Sequence, residues 1–166
     1  MASPTVSAKA LLTTAVIDSK QNGDVITLDI PNAFVQTPMP QSEQRVIMRI
    51  NEILVKYLEE LFSETYSKYI TYQNNTKILC VEMKKALYGM ILSSLLFYKH
   101  FCKDLESIEF VVNPYDICVA NRTTNGHQQM VTWHVDNGKA NHKSPQINKE
   151  FFNWCEKNMK AISMDL

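Results

Sequence analysis

Two tight turns constrain this chain more than any other feature. Ile70-Thr71-Tyr72 and Lys77-Ile78-Leu79-Cys80-Val81 flank Asn74-Asn75. Ile117-Cys118-Val119-Ala120 and Gln129-Met130-Val131-Thr132-Trp133-His134-Val135 stand either side of Asn125-Gly126. Asn and Gly tolerate the left-handed backbone that a two-residue hairpin turn demands, so each pair of β-branched and aromatic runs is expected to fold back on itself. Neighbouring strands are then antiparallel, which speaks against a doubly wound parallel sheet.

Other segments complete the pattern. Ser3 and Pro4 carry helix-start chemistry, and Val6, Ala10, Leu11, Thr14, Ala15 and Ile17 form a roughly helical stripe. Gln21-Asn22-Gly23-Asp24 ends that helix as a turn. Val25-Ile26-Thr27-Leu28-Asp29-Ile30 reads as a buried strand broken by Pro31 and Asn32. Arg45–Ile50 is a further strand, and Glu52–Tyr69 one amphipathic helix. A helix over Leu92–Ser107 precedes a short extended stretch at Phe110-Val111-Val112, and Ser144-Pro145 opens a last helix. The expected fold class is α+β, with helices packed on a mostly antiparallel sheet. Residues 1–166 read as one domain, long enough to bury a core without staples.

Charge restricts function. Lys plus Arg equals Asp plus Glu, 17 against 17. Proteins that grip nucleic acid by themselves generally show a basic excess, because phosphate contacts dominate their affinity. Any such grip here must come from a local patch or from other polypeptide. Cys80, Cys102, Cys118 and Cys155 are scattered, which suggests buried free thiols in a reducing compartment, not a zinc site or a disulfide framework. No apolar run is long enough to span a bilayer, so a soluble intracellular protein without membrane partners is expected.

Two acidic residues stand out by position. Asp29 ends an otherwise apolar strand, where an unpaired carboxylate would be costly. Asp136 sits at the tip of a hairpin following Val131–Val135. Only the fold could join residues more than a hundred positions apart. Both have ordinary explanations as well: Asp136-Asn137-Gly138 is good turn chemistry, and Asp29 could simply terminate its strand.

Several strings extend the reading. Leu28-Asp29-Ile30-Pro31-Asn32-Ala33-Phe34-Val35-Gln36 resembles the first catalytic motif of copia-type retrotransposon reverse transcriptases. Lys84-Lys85-Ala86-Leu87-Tyr88-Gly89 is similar to that family's K-x-S/A-L-Y-G motif, and Leu96-Phe97-Tyr98 to the aromatic pair that follows. Asn113-Pro114-Tyr115-Asp116-Ile117-Cys118-Val119 resembles its S/N-x-x-D-x-C-L/V element. Trp133-His134-Val135-Asp136-Asn137 stands where the family has its Y-V-D-D hairpin. The strings occur in the family's order and cover nearly the whole chain.

The resemblance implies the palm and part of the fingers of a right-hand polymerase. It implies RNA-directed DNA synthesis by two-metal nucleotidyl transfer, with Asp29, Asp136 and the Ile30 carbonyl holding two magnesium ions. Phe34 would lie beneath the incoming sugar, Ala33 would be a further substrate-binding residue, and Tyr88 and Gly89 would line the nucleotide pocket. The implied partners are an RNA/DNA template-primer, a deoxynucleoside triphosphate and other products of the element's polyprotein. On the same resemblance the basic fingers segment, thumb and RNase H region are expected to be absent.

Two departures point to impairment. Asn137 replaces the family's second hairpin aspartate, keeping its shape and one acceptor oxygen but losing its charge. Met90-Ile91-Leu92 is apolar where the family has a polar stretch. The alternative expectation is a non-catalytic interaction or structural remnant in which the Asp pair is incidental. A nuclease-like metal enzyme ranks last, for want of more clustered acids or histidines.

Overall fold

A computed structural model describes residues 4–40 and 45–163. The chain divides into two compact units, one of Met1–Pro38 with Ala86–Leu166 and one of Met39–Lys85. The mixed α+β class with antiparallel sheets is as the turns predict.

In the larger unit, α1 (Ala8–Gln21) precedes β1 (Asp24–Asp29) and the single-turn α2 (Ala33–Gln36). Ser3 lies outside the described residues. The helix starts at Ala8 because Ser7 caps it, its Oγ accepting the Ala10 N–H at 3.1 Å. The Asp116 carboxylate fixes that cap by accepting the Ser7 N–H at 2.9 Å. Asn22, left-handed at φ 50°, ends the helix where the turn was expected.

The chain continues here through α5 (Ser93–Ser107), β5 (Val111–Val112), β6 (Val119–Thr124), β7 (His127–His134), β8 (Asn137–His142), α6 (Pro145–Met159) and β9 (Ile162–Ser163). The six strands form one antiparallel sheet in the order β5-β6-β7-β8-β1-β9. Asn125 and Gly126 are left-handed, closing β6 onto β7. The strand expected from Ile117 begins at Val119 instead. Asp116 makes a turn there, its side chain taking the Cys118 N–H and its carbonyl the Val119 N–H. β8 is a polar interior strand that β-propensity would not reveal, and β9 is a two-residue strand pairing with β1.

Side chains alternate across the sheet. Leu28, Ile30, Val131, Trp133 and Ala140 enter a core with Phe97, Phe101 and Leu105 of α5 and Phe151, Cys155 and Met159 of α6. The opposite face meets α1: Lys139 Nζ lies 2.6 Å from Asp18 Oδ2 and 3.0 Å from Thr14 Oγ1.

The smaller unit is a three-stranded antiparallel sheet in the order β2-β4-β3, built from β2 (Ile47–Asn51), β3 (Thr71–Gln73) and β4 (Thr76–Glu82). Asn74 and Asn75 both have positive φ, as the β3–β4 hairpin requires. The single helix expected over Glu52–Tyr69 is broken into α3 (Glu52–Leu61), α4 (Ser63–Tyr66) and a short 3₁₀ turn (Ser67–Tyr69). Phe62 leaves helical geometry at φ −140° and ψ 47°, and its carbonyl takes the Tyr66 N–H to start the second piece. Val55, Ile78 and Leu79 are buried. Among the described residues no helix is long and apolar enough to cross a membrane.

Candidate functional site

The antiparallel register of β1 and β8 sets Asp29 opposite Asn137 and Leu28 opposite Gly138. In the β7–β8 hairpin, Asn137 also faces His134, which leaves Val135 and Asp136 as the two turn residues. Directly opposed residues share a sheet face, so His134, Asn137 and Asp29 form one row across three strands. The Ile30 N–H donates to the Asp136 carbonyl at 2.9 Å, carrying the ladder past the turn. The two aspartates are therefore neighbours at one end of the sheet, with Ile30 and Asn137 between them. Asn137 Nδ2 donates to Asp136 Oδ1 at 3.1 Å.

The turn carries strain. Val135 has φ 58°, a region β-branched residues avoid. Of the two turn residues only Val135 has positive φ, at the position where a two-residue hairpin of this kind favours glycine. The turn expected at Asp136-Asn137-Gly138 lies one residue earlier, at Val135-Asp136, because Asn137 already pairs with His134 and Asp29.

Phe34 and Tyr88 accompany the acidic pair. Their ring centroids are 4.7 Å apart at an interplanar angle of 39°. The Tyr88 phenol is held above its ordinary pKa by partial burial, then by the negative charges of Asp136 and Asp29. That single hydroxyl therefore senses both carboxylates. Gln36 steadies the loop between β1 and α2, donating to the Pro31 carbonyl at 2.6 Å and the Met159 carbonyl at 2.9 Å. Its anchoring role has no signal in the sequence.

The remaining expected residues separate. Ala33 is fully buried, and its carbonyl accepts the Thr37 hydroxyl at 2.9 Å, so its side chain belongs to the core. The Ile30 side chain is likewise in the core, and only its backbone reaches the site. Gly89 is exposed and left-handed at φ 92° with open space around it, so backbone torsion, not close approach, is what demands glycine there.

The His134 imidazole shares the row, and the oxygens at this end are two carboxylates, the Asn137 amide oxygen and backbone carbonyls. They suit a hard cation. Two carboxylates balance the charge of one divalent ion, while a pair of such ions calls for more. No group of three or more His, Cys, Asp or Glu able to hold a metal occurs among the described residues. The acids here fall short of the two-ion site that the resemblance implies. Compared with family models, curated proteins and solved structures, the chain matches none.

Proposed function

We propose that this chain is the palm portion, with part of the fingers, of a copia-type retrotransposon reverse transcriptase whose nucleotidyl transfer is impaired. The observation that carries the reading is the β1–β8 register. Two aspartates that the motif resemblance pairs across more than a hundred residues lie on adjoining strand ends, beside a turn under backbone strain. An antiparallel sheet covered on one face by α5 and α6 agrees with a palm-like fold. Asp29 and Asp136 would hold a magnesium ion. When bound, that ion would supply charge stabilisation to a nucleotide's phosphates. Phe34 and Tyr88, their rings in tilted contact, would bear on the sugar and base of a deoxynucleoside triphosphate. The template-primer and other polyprotein products are the macromolecular partners.

Impairment rests on Asn137. A two-ion transfer depends on negative charge that this side chain does not supply. Purified protein is expected to give no primer extension on an RNA template with magnesium, and robust extension would overturn the claim of impairment. A second reading, a non-catalytic interaction remnant, is favoured by one feature of the smaller unit. Ile53, Leu54, Tyr57 and Leu61 of α3 are more than half exposed, an unusual apolar display. A magnesium titration followed by NMR separates the readings. Only a palm predicts shift changes centred on both Asp29 and Asp136.

A further inference from the structure

We infer that β2 is the contact through which a second copy of this chain joins, its own β2 pairing antiparallel about a two-fold axis at Met48. The inference stands on the smaller unit alone and goes beyond the polymerase reading. β2 lies at the edge of its sheet, with β4 on one side only. The Met83 N–H donates to the Val46 carbonyl at 2.9 Å, and ladder bonds alternate along an antiparallel pair. Val46, Met48 and Ile50 therefore turn their main-chain groups toward β4. Ile47 and Arg49 turn theirs outward, where no partner meets them among the described residues. The strand has neither the proline nor the bulge that commonly blunts an edge, and Ile47 on it is exposed. Beside it a groove of about 480 Å³ is lined by Met48, Ile50, Ile53 and Leu54.

Charge selects the second copy and its register. Pairing about Ile47 would set Arg49 against Arg45 of the other copy, and pairing about Arg49 would set it against itself. Pairing about Ile50 runs out after one residue on each side, where α3 begins at Glu52. Pairing about Met48 sets Arg49 against Ile47, so that these two residues exchange main-chain hydrogen bonds on both sides of the axis. It also brings Arg45 of each copy to the Asn51-Glu52 end of the other. Arg45 and Glu52 have ion pairs within the chain, to Glu82 at 3.9 Å and to Lys56 at 3.8 Å. With side chains 71% and 51% exposed, those contacts are weak and leave room for a second partner. Val46 and Met48 of each copy would enter the groove of the other. An isologous contact of this kind closes at two copies.

Sedimentation equilibrium of the full chain tests this, and a reversible dimer is expected. Arg49→Pro removes the outward N–H without touching the ladder to β4, and is expected to weaken association at least about tenfold. Far-UV circular dichroism checks that this variant is folded. Should it not fold, Ile47→Lys sets like charges against Arg49 and is expected to weaken the dimer as well. Ile47→Glu is expected to tighten it about threefold or more. With the exposed Cys80 changed to Ser, Met48→Cys is expected to form a disulfide across the axis on mild oxidation, and Arg49→Cys is not. A chain still monomeric at about 1 mM would overturn the inference and leave the edge to some other strand. So would a dimer indifferent to Arg49→Pro and to both charges at position 47. Linkage through Arg49→Cys in preference to Met48→Cys would overturn it too.

Discussion

Gly138 faces Leu28 so closely that a β-carbon on Gly138 would stand 2.9 Å from Leu28 Cδ1 and 3.2 Å from Cγ. Leu28 is 1% exposed and has no room to retreat. Gly138→Ala is therefore expected to destabilise the protein by about 1–3 kcal/mol through overpacking. The urea midpoint of the single variant measures the cost, and adding Leu28→Ala in the same chain is expected to cost less than the sum of the two single changes. Strictly additive effects would show that the two side chains do not meet.

The Lys139–Asp18 pair, with side chains 18% and 9% exposed, ties α1 to the sheet. Asp18 Oδ1 is buried without a partner among the described residues, so the pair is the main compensation for that charge. Replacing Lys139 with Met is expected to cost about 3–5 kcal/mol, since it strands a buried carboxylate. The double change Lys139→Met with Asp18→Leu is expected to restore most of the loss. Chemical denaturation of all three proteins supplies the comparison.

Tyr88 offers a reporter for the acidic pair. Partial burial raises its pKa first, and Asp136 and then Asp29 add to the rise. Asp136→Asn and Asp29→Asn are each expected to lower the Tyr88 titration midpoint, the former more. An ion bound between the acids is expected to lower it too. Titration of the phenol by NMR reads all three, and a midpoint unmoved by either substitution would place Tyr88 away from the pair.

Cys118 and Cys155 are fully buried, and both thiols are pushed up to about 12, by burial at Cys155 and by burial and then Asp116 at Cys118. A folded-state pKa raised above the unfolded value gives stability that is complete below the unfolded pKa and lost as pH rises through the folded one. With an unfolded thiol near roughly 8.5, stability is expected to decline from about that pH upward. Cys155→Ala is expected to flatten the decline in urea midpoint against pH. An unchanged slope would show that this thiol stays protonated in both states.

Local chemistry made some of this molecule legible from its residues. Asn74-Asn75 and Asn125-Gly126 announce left-handed turns because few other side chains tolerate them, and the antiparallel arrangement follows. Ser144-Pro145 marked the start of α6 for the same kind of reason. β8 was hidden because Asn137-Gly138-Lys139-Ala140-Asn141-His142 holds its interior place by backbone pairing and small side chains, without β-branched residues. The break at Phe62 was hidden too, since the apolar spacing of α3 runs straight through it. At the site, individual positions could be singled out from the strings. That Asn137 would oppose Asp29, that Ala33 would turn into the core and that Val135 would take left-handed geometry depend on register, which no short window of sequence contains.

The β1–β8 pairing also sets the order in which the molecule can mature. The β7–β8 hairpin joins residues a few positions apart and can form as soon as it leaves the ribosome, whereas β1 must wait while the intervening chain is made and gathered in. Until that late closure, Asp29 and Asp136 are separate carboxylates on a growing polypeptide. In a nascent chain the two aspartates would thus come together only after β8 has been made.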